Sequence, residues 1–136
     1  MIKRNRALLI VLFTLGILVL SPADTLLGDE PVIEIIAGED GFKVPGKKKP
    51  EITVKANSVV RLRITVEQGE ARRKDGVVHS FTIKELIGQG WHLILKEGTH
   101  EFMLTAPSQP GKYRVECMVF CGEIHQDMSM TMTVVP

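Results

Sequence analysis

From Pro31 onward, apolar side chains recur at every second position instead of every third or fourth. Val60, Leu62, Ile64 and Val66 alternate with Arg61, Arg63 and Thr65, the pattern of a strand with one face in a core and the other in water. Ile52 and Val54 alternate with Thr53 and Lys55. Tyr113, Val115 and Cys117 alternate with Lys112, Arg114 and Glu116. Met128, Met130, Met132 and Val134 share one face of a last strand, with Thr131 and Thr133 opposite. Residues 32–36, 77–83, 93–95 and 100–105 read as further strands. Turns rich in glycine and proline separate them at 38–41, 45–50, 69–76, 88–90 and 107–111. No helical period of useful length, internal repeat or low-complexity tract interrupts this pattern. Short strands at such spacing predict an all-β Greek-key β-sandwich or a small barrel.

The first 23 residues break the pattern. Lys3, Arg4 and Arg6 form a basic leader before an apolar run at 7–20, softened only by Thr14 and Gly16. A helix over that run would be about 21 Å long at ~1.5 Å per residue, short of the ~30 Å hydrocarbon core of a bilayer. Ser21-Pro22-Ala23 then supplies small residues of the kind a signal peptidase accepts. Residues 1–23 are expected to be a signal peptide or a single membrane anchor. Residues 24–31 would be a linker and 32–136 the domain. Either fate of the leader exports the domain, because positive residues stay inside, and places it in a periplasmic or other extracytoplasmic space.

Composition narrows the function. The chain has 136 residues, 44% hydrophobic and 24% charged, enough for one packed core. Residues 1–23 hold three of the 17 Lys and Arg and none of the 16 Asp and Glu, so the rest carries a formal −2. That balance disfavours nucleic acid as a partner. Aromatic residues at 5% disfavour a base-stacking platform. Two cysteines exclude a disulfide-dense scaffold.

The informative stretch is Cys117-Met118-Val119-Phe120-Cys121-Gly122-Glu123-Ile124-His125-Gln126-Asp127-Met128. Read as donors it is C-x3-C-x3-H-x2-M. Thiolate and thioether are soft and select copper; imidazole suits copper and zinc. Cys117 closes the inward face of one strand and Met128 opens that of the next, so the loop would gather its donors at one end of the sandwich. His79, in Val77-Val78-His79-Ser80-Phe81, is the best candidate for a further ligand. Taken alone, a histidine in an apolar strand reads as a satisfied core residue. Other readings use the same residues. Cys117 and Cys121 can form a disulfide in an oxidising compartment. His79, Cys121, His125 and Met128 alone satisfy a blue-copper site and leave Cys117 spare. Zinc in a Cys2His2 set leaves Met128 unexplained. A copper carrier or chaperone on the same fold is a rival of a different class. Met130 and Met132 read as core, and His92 and His100 as surface or edge residues. Met118 is expected to pack beside the site.

The twelve-residue loop resembles the binuclear copper A (CuA) domain of cytochrome c oxidase subunit II and of nitrous oxide reductase. Val77-Val78-His79-Ser80-Phe81 and the segment 51–62 share the resemblance, which spans most of 32–135. It implies the cupredoxin-like sandwich and a CuA centre of two copper ions. Cys117 and Cys121 would bridge the ions, and His79 and His125 would each hold one. Met128 and the main-chain carbonyl of Val119 would be weak axial ligands. The resemblance implies electron transfer from a donor such as cytochrome c to a terminal oxidase or reductase, with no catalytic site on this chain. Physical argument agrees: two thiolates offset much of the charge of two coppers, and no coordination position stays open for substrate.

The chain also departs from that family. Most such oxidase subunits have two membrane helices; here there is at most one. Val119 stands where many carry a magnesium-binding glutamate, so that metal is not expected. Trp91 is the only tryptophan, where those subunits have a tryptophan-rich docking segment. Glu123 and Asp127 can face a cationic partner, and the run 72–74 an anionic one.

Overall fold

The computed structural model describes residues 30–69, 73–119 and 128–136. The expected leader at 1–23, most of the linker and eight residues of the C-terminal loop lie outside the described residues. Among the described residues no helix is long and apolar enough to cross a membrane.

Among the described residues nine strands form two sheets. They are β1 (Val32–Gly38), β2 (Gly41–Lys43), β3 (Glu51–Lys55), β4 (Val59–Val66), β5 (Val77–Thr82), β6 (His92–Lys96), β7 (Gly98–Thr105), β8 (Gly111–Glu116) and β9 (Ser129–Val135). One sheet has the order β2-β1-β4-β7 and the other β3-β9-β8-β5-β6. Both are mixed: β1 runs parallel to β4 and β3 parallel to β9, while the remaining pairs are antiparallel. The predicted β-sandwich is therefore the fold, and each predicted strand is present.

The alternation seen in the sequence becomes the burial pattern. In β4, Val60, Leu62, Ile64 and Val66 are buried while the intervening residues are partly exposed. In β9, Met130, Met132 and Val134 are buried, so Met130 and Met132 are core, as expected. Ile35, Leu62 and Ile64 from the first sheet face Phe81, Leu95, Val115 and Met132 from the second in one core. Phe42 and Phe81 meet edge to face across the sheets, with centroids 5.6 Å apart and planes at 74°. Trp91 is fully buried, and its indole N–H donates to the Thr105 carbonyl at 3.0 Å.

Two elements differ from the sequence reading. Residues 41–43 form β2, where the Gly-Glu-Asp-Gly stretch reads only as a turn; the turn joins two strands at once. Lys84–Gln89 is a 3₁₀ helix, too short to show a helical period. Gly90 ends it at φ 91°, a left-handed conformation that costs glycine nothing.

Candidate metal centre

β5 is the strand that places the histidine. All six of its residues are buried. Against β6 the register runs Val77 opposite Lys96 and then His79 opposite Leu95, so Val78 is an extra residue, a β-bulge. Without it, His79 would share a face with exposed Ile94. With it, His79 points inward beside Leu95 and Phe81, 1% exposed. The bulge thus turns an imidazole into the end of the core.

Cys117 is the first residue after β8, half-buried and packed against the core. Its Sγ lies 3.9 Å from His79 Nδ1, although 38 residues separate them in sequence. It also lies 3.9 Å from the Val119 carbonyl oxygen. Met128, one residue before β9, is buried, and its carbonyl accepts the Cys117 N–H at 3.1 Å. That bond ties together the two ends of the loop. Of the residues singled out in the sequence, the structure therefore brings the Cys117 sulfur to His79 and the Val119 carbonyl, and ties the main chain of Met128 to that of Cys117. Cys121 and His125 lie outside the described residues. Among the described residues no three His, Cys, Asp or Glu side chains cluster.

The donors present fit a soft metal. Ligands at about 2.0–2.3 Å from a shared ion stand roughly 3–4 Å apart, and 3.9 Å between sulfur and imidazole nitrogen is within that span. A thiol, an imidazole, a thioether and a peptide carbonyl suit copper and not a hard cation.

The sequence reading missed the hydrogen bonds that shape this corner. β5 and β8 pair through Thr82 and Glu116. Continued in register, Ser80 would face Met118. There the ladder changes: the Met118 N–H donates to the Ser80 hydroxyl at 2.8 Å instead of to a main-chain carbonyl. The Ser80 N–H in turn donates to Cys117 Sγ at 3.3 Å. Ser80 and Thr82 are fully buried, and the Thr82 hydroxyl donates to the Ser80 hydroxyl at 3.0 Å. Two small hydroxyl residues beside His79 in a buried strand were the available signal. Met118, expected to pack beside the site, holds its amide there, but its side chain is 47% exposed.

Beside the sulfur, Lys84, Arg114, Glu116, Met118 and Met128 line a shallow cleft with Cys117. Lys84 reaches Glu116 at 2.7 Å and Arg114 reaches it at 2.9 Å. The hydrogen bond from Lys84 holds the Glu116 carboxyl below its ordinary value against the opposing effect of burial, with Arg114 adding to it. The runs at 47–49 and 73–74 are exposed, as solvated turns are.

These features define the class: a two-sheet, cupredoxin-like β-sandwich with a thiol and an imidazole converging at one end. No family model and no curated protein matches the chain. Solved structures do share its architecture. A chain of a heme-copper terminal oxidase dimer is 24% identical, with TM-score 0.56 over 76% of this chain and 64% of that one. This chain thus spans under two thirds of that oxidase chain. The periplasmic domain of subunit II of cytochrome oxidase from Bradyrhizobium japonicum is 18% identical, with TM-score 0.55 over 76% and 83%. Dithionite-reduced auracyanin from Roseiflexus castenholzii is 20% identical, with TM-score 0.51 over 80% and 100%. At these identities the likeness establishes the fold.

Proposed function

We propose that this chain is an exported electron-transfer protein whose C-terminal loop and His79 hold a binuclear CuA centre. The observation that carries the proposal is the approach of Cys117 Sγ to His79 Nδ1 at 3.9 Å, with the Ser80 N–H aimed at the same sulfur. That placement supports Cys117 as a ligand over Cys117 as a spare core residue beside a mononuclear site built on Cys121. Cys117 and Cys121 would hold the pair as shared thiolates, with His79, His125, Met128 and the Val119 carbonyl as the remaining ligands. When bound, the pair supplies one-electron redox chemistry. The protein's part is to hold the donors nearly still, so that little rearranges when the electron arrives. The fold likeness to an oxidase subunit II domain supports this reading.

The partners follow from the same reading. A cytochrome c-like protein donates the electron, and a terminal oxidase or reductase accepts it. The leader either is cleaved or anchors the domain to the cytoplasmic membrane. The likeness to auracyanin supports a second reading, a mononuclear copper carrier of electrons on the same sandwich. Reconstituting the full-length chain with copper, then counting metal and recording EPR, separates them. Two coppers and a signal shared between two nuclei support CuA. One copper with a single-nucleus signal overturns it in favour of the mononuclear site. Reversible cuprous binding with no redox-active signal overturns both and marks a copper carrier.

A further inference from the structure

On the outer face of the second sheet, the hydrogen bonds around Cys117 continue away from the sulfur to the surface. Thr82 stands opposite His92 in the β5–β6 register, and their side chains meet at 2.8 Å between Oγ1 and Nδ1. The Thr82 hydroxyl has one proton, which it gives to Ser80. That leaves it to accept from His92 in the tautomer whose Nδ1 carries the proton. The chain runs from the His92 Nδ1–H to the Thr82 hydroxyl and on to the Ser80 hydroxyl, which also accepts the Met118 N–H. His92 is exposed on β6, an edge strand, and stands 13 residues from His79 in sequence. Among the described residues its side-chain hydrogen bond goes to Thr82 and not to a candidate ligand.

We propose that His92, through Thr82, is a positioning residue for the metal loop: it fixes the Ser80 hydroxyl, and thereby the Met118 amide and the sulfur of Cys117. The seam between β5 and β8 needs such a device. It carries the Thr82–Glu116 pair, and beyond that pair the Ser80 hydroxyl replaces the main-chain acceptor. A side-chain acceptor can rotate where a carbonyl cannot. Two hydroxyls and an imidazole in series hold it in one rotamer, and a buried network of this kind is rigid only when each member is satisfied. With the Met118 amide held by the Ser80 hydroxyl, the adjoining Cys117 keeps its Sγ against the main-chain N–H of Ser80. Outer-shell hydrogen bonds of this type orient ligands and tune the metal they hold. The inference rests on the copper reading proposed above, and its test separates the two.

The test compares Thr82→Val and His92→Phe, which remove the chain, with Thr82→Ser and His92→Asn, which keep a hydroxyl and a donor near Nδ1. In the metal-free, full-length Cys121→Ser chain, Cys117 is the sole thiol. Its alkylation rate should rise roughly fivefold in Thr82→Val and His92→Phe, the effect of losing one net hydrogen bond. It should return to the parent rate in the two conservative variants. In the copper-loaded chain with both cysteines, the first pair should displace the copper–thiolate absorption band and the second pair leave it in place. Circular dichroism checks folding, and the exposed His92 position guards against a Thr82 variant that fails to fold. Parent alkylation rates and an unmoved band in both Thr82→Val and His92→Phe would overturn the inference. So would equal effects in the conservative variants, since bulk rather than hydrogen bonding would then be responsible. A chain that takes up no copper refutes the copper reading, while the alkylation rates still decide the positioning role.

Discussion

Replacing Phe42 by leucine separates the stability of the sandwich from the placement of the metal donors. Phe42 lies on β2 in the first sheet, 4% exposed, with its ring edge-on to Phe81 of the second. Leucine would leave a void costing about 1 kcal/mol, and losing the aromatic pair would cost about 1 kcal/mol more. A loss of ~2 kcal/mol in a domain of this size should lower the melting temperature by roughly 8–15 °C. The donors should not notice. His79 and Ser80 lie on β5 of the second sheet and Cys117 directly follows β8 of the same sheet, and their mutual placement comes from the β5 bulge and the β5–β8 seam. Calorimetry on the metal-free Phe42→Leu chain gives the first quantity. The copper–thiolate absorption band of the loaded chain at a temperature where it is folded gives the second. A band displaced as far as in Thr82→Val would show instead that inter-sheet packing places the ligands.

Three further outcomes follow from named contacts. Trp91→Phe leaves the Thr105 carbonyl without its indole donor, which should cost about 1–3 kcal/mol and be read as a lower urea midpoint by circular dichroism; an unchanged midpoint would count against that bond. Arg63 bridges Glu34 and Glu101 at 2.7 Å each on the outer face of the first sheet, with all three half exposed. Arg63→Met should therefore barely move the urea midpoint at low salt and leave it unmoved at 1 M salt. Glu116 has its carboxyl pKa lowered in the folded chain, so its contribution is present above the ordinary glutamate value of 4.5 and is lost as pH falls below that through the folded value. Glu116→Gln should flatten the metal-free stability curve on that acid limb and leave its shape near pH 7 unchanged; a limb as steep as the parent's would contradict the assignment.

Much of this fold is legible because half-buried strands print their faces into the sequence at period two, as β4 and β9 do. β2 was not legible because three residues are too few to show alternation. Part of the candidate centre was legible for a different reason: thiol, thioether and imidazole are rare enough that their spacing carries meaning. His79 could be named from its apolar neighbours, but not its direction. That depends on one extra residue, Val78, which only the register against β6 reveals. Ser80, Thr82 and His92 stayed hidden because their roles arise where three strands meet. Each alone reads as an ordinary polar residue, and Thr82 and Ser80 would read as misplaced in a buried strand until their partners are seen.

The proposed CuA centre requires the sulfur of Cys117 to be a ligand shared by two copper ions. Replacing Cys117 by serine in the full-length chain, then measuring copper per chain and the EPR hyperfine pattern, tests it most directly. If Cys117 is that shared ligand, the variant loses the paired centre and shows no hyperfine pattern shared between two copper nuclei. One copper per chain in both parent and variant, with the same single-nucleus spectrum, would contradict it.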